Sequence, residues 1–211
     1  QHTHHRPVRH QQAGVFAAVS FALLPRVFYH AHLNAFDVPI TLMITWTTYC
    51  YWRSLTRPRW AIVTGIAFGM SLATKHNSWV LPGIFGIHFA WVVWNERSYR
   101  KAHPRLPARL SLVPRWLFSM LLIGPALFVA MWPWLWHDTL ARFGQYAGFH
   151  LHHEYYNMAY FGVNYFQPPF PVSYPFVMMA YTVPLTLLLL AALALLARAR
   201  ALFPRAWLAR L

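Results

Sequence analysis

The sequence predicts an all-α fold, a polytopic bundle of about six membrane-spanning helices, and three observations predict it. Hydrophobic residues make up 58% of the 211 and charged residues only 10%, against about 45–50% and about 25% in a soluble domain. The apolar residues fall in runs near the ~20 that a spanning helix needs. The 18 Lys and Arg residues fall almost entirely on alternate loops between those runs, the sidedness expected of a membrane protein.

The runs cover about 13–29, 36–52, 60–76, 78–94, 116–136 and 173–197. The last is the plainest, since Leu185 to Ala197 contains only Leu, Ala and Thr. Arg6 and Arg9 precede the first run, and Arg53, Arg57 and Arg59 separate the second from the third. Arg97, Arg100, Lys101, Arg105, Arg109 and Arg115 separate the fourth from the fifth, and Arg198, Arg200, Arg205 and Arg210 follow the sixth. Only Arg26, Lys75 and Arg142 fall on the other side. Positively charged loops stay cytoplasmic, so both ends of the chain are expected in the cytosol of a cell inner or plasma membrane protein. The external side then carries loop 25–37, a turn near 74–79 and a long loop, 137–172. Residues 1–211 read as a single transmembrane domain, truncated at its N-terminus because it opens on Gln1.

Composition also excludes. A net charge of +14 invites nucleic acid, but the basic residues sit in short loops and form no binding stripe. The lone Cys50 lies within an apolar run, which leaves no disulfide framework and argues against a zinc cluster.

Three external stretches carry chemistry. In Pro25-Arg26-Val27-Phe28-Tyr29-His30-Ala31-His32, an extended backbone would place His30 and His32 on one face at metal-ligand spacing; simple hydration at the interface is the alternative. Asp37 opens the second run just before Pro39. It is either a helix cap or an acid that binds metal or substrate at the membrane boundary. In Thr74-Lys75-His76-Asn77, Lys75 either snorkels to water or meets an anionic partner such as a lipid phosphate. The long loop carries Asp138, Arg142, His150, His152, His153 and Glu154, with Tyr155, Tyr156 and Tyr160. This is either an aromatic belt or a site for polar groups and sugar rings. No helical His-Glu-x-x-His is present, which argues against a zinc protease.

Together these stretches resemble membrane glycosyltransferases of the C fold class, in the branch of the dolichyl-phosphate-mannose-protein mannosyltransferases and aminoarabinose-transferase-like enzymes. The resemblance rests on Pro25-Arg26 through Phe36-Asp37-Val38-Pro39, on Gly69 through Asn77 with Leu81-Pro82, and on His152 to Pro184 with Tyr160-Phe161-Gly162 and Pro168-Pro169. It implies transfer of a sugar from a polyprenyl-phosphate donor in membrane lipid to a protein or glycolipid acceptor on the external face. Lys75 would hold the donor phosphate, helped by Arg26 or Arg142. Asp37 would bind a divalent metal ion or organise the site, with His30, His32, His152, His153 and Glu154 binding substrate or metal. The family's acidic base stands in its first external loop, which the resemblance places before Gln1, so no acid in this chain is assigned that role.

Two other readings use the same residues. In a transporter or flippase, Asp37, Lys75 and the histidines would line a path near the bilayer midplane, within repeated halves; no internal repeat is visible. A metal-dependent membrane hydrolase would release product without an acceptor. The orientation can be checked with single cysteines in a Cys50→Ser background. An impermeant thiol reagent applied to intact cells should label Asn157→Cys and spare Ala201→Cys. The reverse pattern would invert the topology.

Overall fold

The computed structural model describes residues 5–33, 35–104, 110–152 and 155–202. In chain order it runs α1 (His5–Ala22), α2 (Pro25–His32), α3 (Asp37–Ser54), α4 (Trp60–Thr74), a 3-10 turn (His76–Val80), α5 (Leu81–Ala102), α6 (Arg115–Met131), a second 3-10 turn (Pro133–Trp136), α7 (Thr139–Leu151), β1 (Met158–Tyr160), β2 (Val163–Tyr165), α8 (Tyr174–Thr182) and α9 (Leu185–Leu202). The chain divides into two compact units, Gln1–Leu33 with His153–Leu211, and Asn34–His152.

The predominantly helical class agrees with the sequence, but six intact spans do not appear. Among the described residues no single helix is long and apolar enough to cross a membrane. Two bent pairs reach the length and composition together: Gln11–Ala22 with Pro25–Ala31, bent by 68°, and Tyr174–Thr182 with Leu185–Arg198, bent by 116°. Proline is the cause in both. It has no N–H to donate and pushes its predecessor out of helical geometry, and Pro25 and Pro184 stand at the two breaks. The run at 60–76 yields only the 15 residues of α4, about 22 Å of helix against about 30 Å of hydrocarbon. The run at 116–136 ends as helix at Met131, before Pro133. The run at 78–94 continues to Ala102 in α5, but its last turns carry Glu96, Arg97, Arg100 and Lys101.

In the first unit, the loop expected at 137–172 contributes an antiparallel hairpin with Met158 opposite Tyr165 and Tyr160 opposite Val163. Phe161 and Gly162 form its two-residue turn, both with positive φ, the hairpin geometry whose twist matches the strands. The Tyr160 hydroxyl lies 2.8 Å from Ser173 Oγ, and the Tyr160 ring meets Tyr174 edge-on, which anchors the hairpin to the start of α8.

The second unit is built on α4. Helix α3 returns antiparallel through the short link 55–59, and α6 lies parallel to α4 in backbone contact. Gly65 and Gly69 make this possible. A Cβ on Gly65 would sit 2.6 Å from the Ser119 carbonyl oxygen, and one on Gly69 would sit 2.9 Å from the Gly124 carbonyl oxygen. Gly124 in turn receives the Phe68 ring, 2.6 Å from where its Cβ would be. Small residues four apart let two helices approach this closely. Beside them Phe68, Leu72, Met120 and Phe128 are buried, and Tyr51 stacks on Phe85 with Trp116 edge-on. The threonines of α3 return their hydroxyls to their own helix: Thr41 to Asp37, Thr45 to Thr41, Thr47 to Met43 and Thr48 to Ile44, each at 2.7–2.8 Å from the carbonyl. At the far end the Ser111 amide donates to the Leu55 carbonyl at 2.9 Å.

Gly65→Ala should therefore destabilise the protein by about 1–3 kcal/mol, the usual cost of overpacking. Gly83→Ala in α5, where an added Cβ meets nothing within 4 Å, should be neutral or stabilising because Ala is the better helix former. Thermal unfolding of the two variants in detergent checks the opposite signs.

Candidate functional site

The site forms where α4 and α6 end side by side. Ser71 and Ser78, both fully buried, share a hydrogen bond between their hydroxyls that closes the 3-10 turn back on α4. Lys75 lies between them as the residue that ends α4, its backbone extended and its amide donating to the Ser71 carbonyl at 3.1 Å. Its ammonium reaches Asp37 Oδ1 at 2.9 Å. Each charge stands where a helix dipole favours it, Asp37 in the first turn of α3 and Lys75 at the C-terminal end of α4. Asp37 is not a cap here: Phe36 occupies the capping position, with no side-chain capping bond. The pair is accessible, with side chains 33% exposed for Lys75 and 58% for Asp37. Its attraction alone is therefore worth little to stability.

Lys75 borders a cavity of about 240 Å³ whose wall includes Phe128, Met131, Trp132 and Tyr146. A second cavity of about 460 Å³, lined by Trp132, Trp134, Gln145, Tyr146 and Phe149, shares two of those rings. Helix α7 supplies Gln145, Tyr146 and Phe149, and the 3-10 turn after α6 fixes its direction. Leu135 is fully buried there, the Trp136 indole donates to the Val129 carbonyl at 2.8 Å, and the Thr139 hydroxyl donates to the Leu135 carbonyl at 2.7 Å. Burial pushes the Tyr146 phenol above its ordinary value, so it stays neutral and can donate a hydrogen bond at physiological pH. His150 packs edge-on against Tyr146 and stacks on His76 with ring centroids 3.8 Å apart.

Of the residues singled out in the sequence, Asp37 and Lys75 come together. Arg142 belongs to the same unit, and its guanidinium lies over the Trp134 ring and donates to the Trp134 carbonyl at 2.5 Å. His152 is exposed at the end of α7, with Nδ1 3.1 Å from the Gly148 carbonyl oxygen. Arg26, His30 and His32 lie in α2 of the other unit. The expectation that His30 and His32 share a face is corrected: the segment is helical, and residues two apart on a helix do not face each other. His32 Nδ1 lies 2.7 Å from the Phe28 carbonyl oxygen instead. His153 and Glu154 lie outside the described residues.

The aromatic wall was missed because Trp132-Pro133-Trp134-Leu135-Trp136 reads as the end of an apolar run. Pro133 inside that run, and the i, i+4 spacing of Tyr146 and His150, were the available signals.

A divalent ion at Asp37 is not supported by the donor set. Among the described residues no three His, Cys, Asp or Glu side chains are grouped to hold a metal ion. The Asp37 carboxylate already faces an ammonium, which would repel a second cation. These described residues do not by themselves amount to a metal site.

Residues 4–123 match the family model of the dolichyl-phosphate-mannose-protein mannosyltransferases. The chain belongs to this family. Asp37 and Lys75 fall inside the matched region, while the aromatic wall from Trp132 onward lies beyond it. Membership makes the chain a membrane-associated glycosyltransferase of the mannosyltransferase type. No curated protein and no solved structure matches it.

Proposed function

We propose that the chain forms part of an enzyme transferring a sugar from a polyprenyl-phosphate donor to a protein or glycolipid acceptor on the external face of a membrane, with Lys75 holding the donor phosphate. The observation that carries this is an accessible ammonium at the mouth of an aromatic cavity. The leaving group in such a transfer is a lipid phosphate, and a fixed cation stabilises the negative charge that develops on it. Asp37 holds the ammonium toward the cavity until phosphate competes for it. Trp132, Trp134 and Tyr146 offer flat faces to the CH side of a sugar ring, and Gln145 and the Tyr146 phenol offer hydrogen bonds to its hydroxyls.

The acidic base that would activate the acceptor is assigned to no residue of this chain. The Asp37–Lys75 pair lies at helix ends. A translocation path would instead place its charges in mid-membrane helix breaks, so the transferase reading is the better supported.

In the full chain, Lys75→Met should weaken donor binding by about 10- to 100-fold, the worth of one charged hydrogen bond. Lys75→Arg should keep part of it, because a point charge suffices for phosphate. Asp37→Asn should lower transfer at least about tenfold, or about 1.4 kcal/mol of barrier, with expression unchanged. Saturation of the Met variant by the lipid-linked sugar at wild-type concentrations would remove Lys75 from the role.

A further inference from the structure

We infer that the C-terminal half of α5 is a binding site for an anionic membrane phospholipid, separate from the donor site. A groove of about 490 Å³ runs along one face of this helix, lined by Ala90, Val93, Trp94, Arg97, Ser98 and Lys101. The spacing is that of a single helical stripe, and its chemistry changes along its length. Three apolar positions come first, followed by two cations and a hydroxyl. That is the order of an amphiphile, with glycerol and the first methylenes against Ala90, Val93 and Trp94, and a phosphate between Arg97, Ser98 and Lys101.

Two further features fix the sign and the setting. The one acid of α5, Glu96, has its side chain only 2% exposed, with Arg100 Nε 3.2 Å from its Oε1. The groove therefore presents positive charge alone. Ile84, Ile87, Trp91 and Trp94 are exposed on the same helix, so apolar residues give way to tryptophans and then to bases, the sequence of a helix crossing a membrane–water boundary. A basic pocket at that boundary selects anionic headgroups.

The occupant is not the donor. Lys75 lies just before the N-terminal end of α5, and Arg97 stands 16 residues along from Leu81, about 24 Å of helix. The inference rests on the membrane reading of the chain but not on Lys75.

Native mass spectrometry of the full chain in a neutral detergent tests it, with palmitoyl-oleoyl phosphatidylglycerol and the matching phosphatidylcholine as probes. The wild type should retain phosphatidylglycerol in preference. The double variant Arg97→Ala/Lys101→Ala should lose that retention by at least about tenfold, from about 1 kcal/mol per basic residue. Val93→Trp, which keeps both charges but fills the groove, should also lose it. Arg57→Ala/Arg59→Ala, an equal loss of charge elsewhere, should retain the lipid. Equal retention of the two lipids, or equal loss in both double variants, would overturn the site in favour of diffuse charge attraction. Displacement of phosphatidylglycerol by a polyprenyl phosphate would overturn it in favour of the carrier. Lys75→Met should leave phosphatidylglycerol retention unchanged, which separates failure of this site from failure of the donor site.

Discussion

The backbone contact between α4 and α6 is the constraint on which the second unit depends. Gly65 and Gly69 bring the Ser119 and Gly124 carbonyls closer than any side chain would allow, and α5, which carries the chain back between them, leaves the two helices parallel. Their C-terminal ends consequently finish side by side. Lys75 follows one end and Trp132 the other, and the cavity lies between them. An apolar solvent gives two apolar helices little hydrophobic reason to associate, so close packing of this kind must supply the attraction. The glycines thus help place the residues that line the cavity without lining it themselves.

The charges follow from the same arrangement. Two helix C-termini converging on one cavity present carbonyl ends and negative dipole character, which favours a cation there and disfavours a bare phosphate. Lys75 reverses the sign locally. Asp37 keeps it partnered from the positive end of the antiparallel α3, with the two carried to one level by the short 55–59 link. The Ser71–Ser78 hydroxyl pair holds the turn, so the lysine is carried on a closed structure rather than a loose loop.

Helix length is the other theme. Short α4 and α6, and the prolines that break α1 from α2 and α8 from α9, leave apolar surface organised in pieces. Where a helix ends early, the chain does something else with the residues: a 3-10 turn after α4 carries His76 beside His150, and one after α6 aims the aromatic face of α7. The α3 threonines satisfy their hydroxyls on carbonyls of their own helix. This is what a low-dielectric surrounding demands.

The sequence by itself determined the helical class, the uneven placement of the basic residues along the chain and the family, and it singled out Asp37 and Lys75 as candidates. Each of these is written in composition, in the spacing of charges or in a contiguous motif, which are properties of neighbours along the chain. It did not determine that Asp37 and Lys75 are partners at 2.9 Å, that His30 and His32 lie on a helix, or that Trp132 and Tyr146 wall one cavity. Those depend on how far apart helices stand and where they stop. Hydropathy runs straight through Pro133 and Pro184, whereas the backbone cannot. The decisive contacts join residues tens of positions apart, through glycines whose role is visible only when another backbone is packed against them.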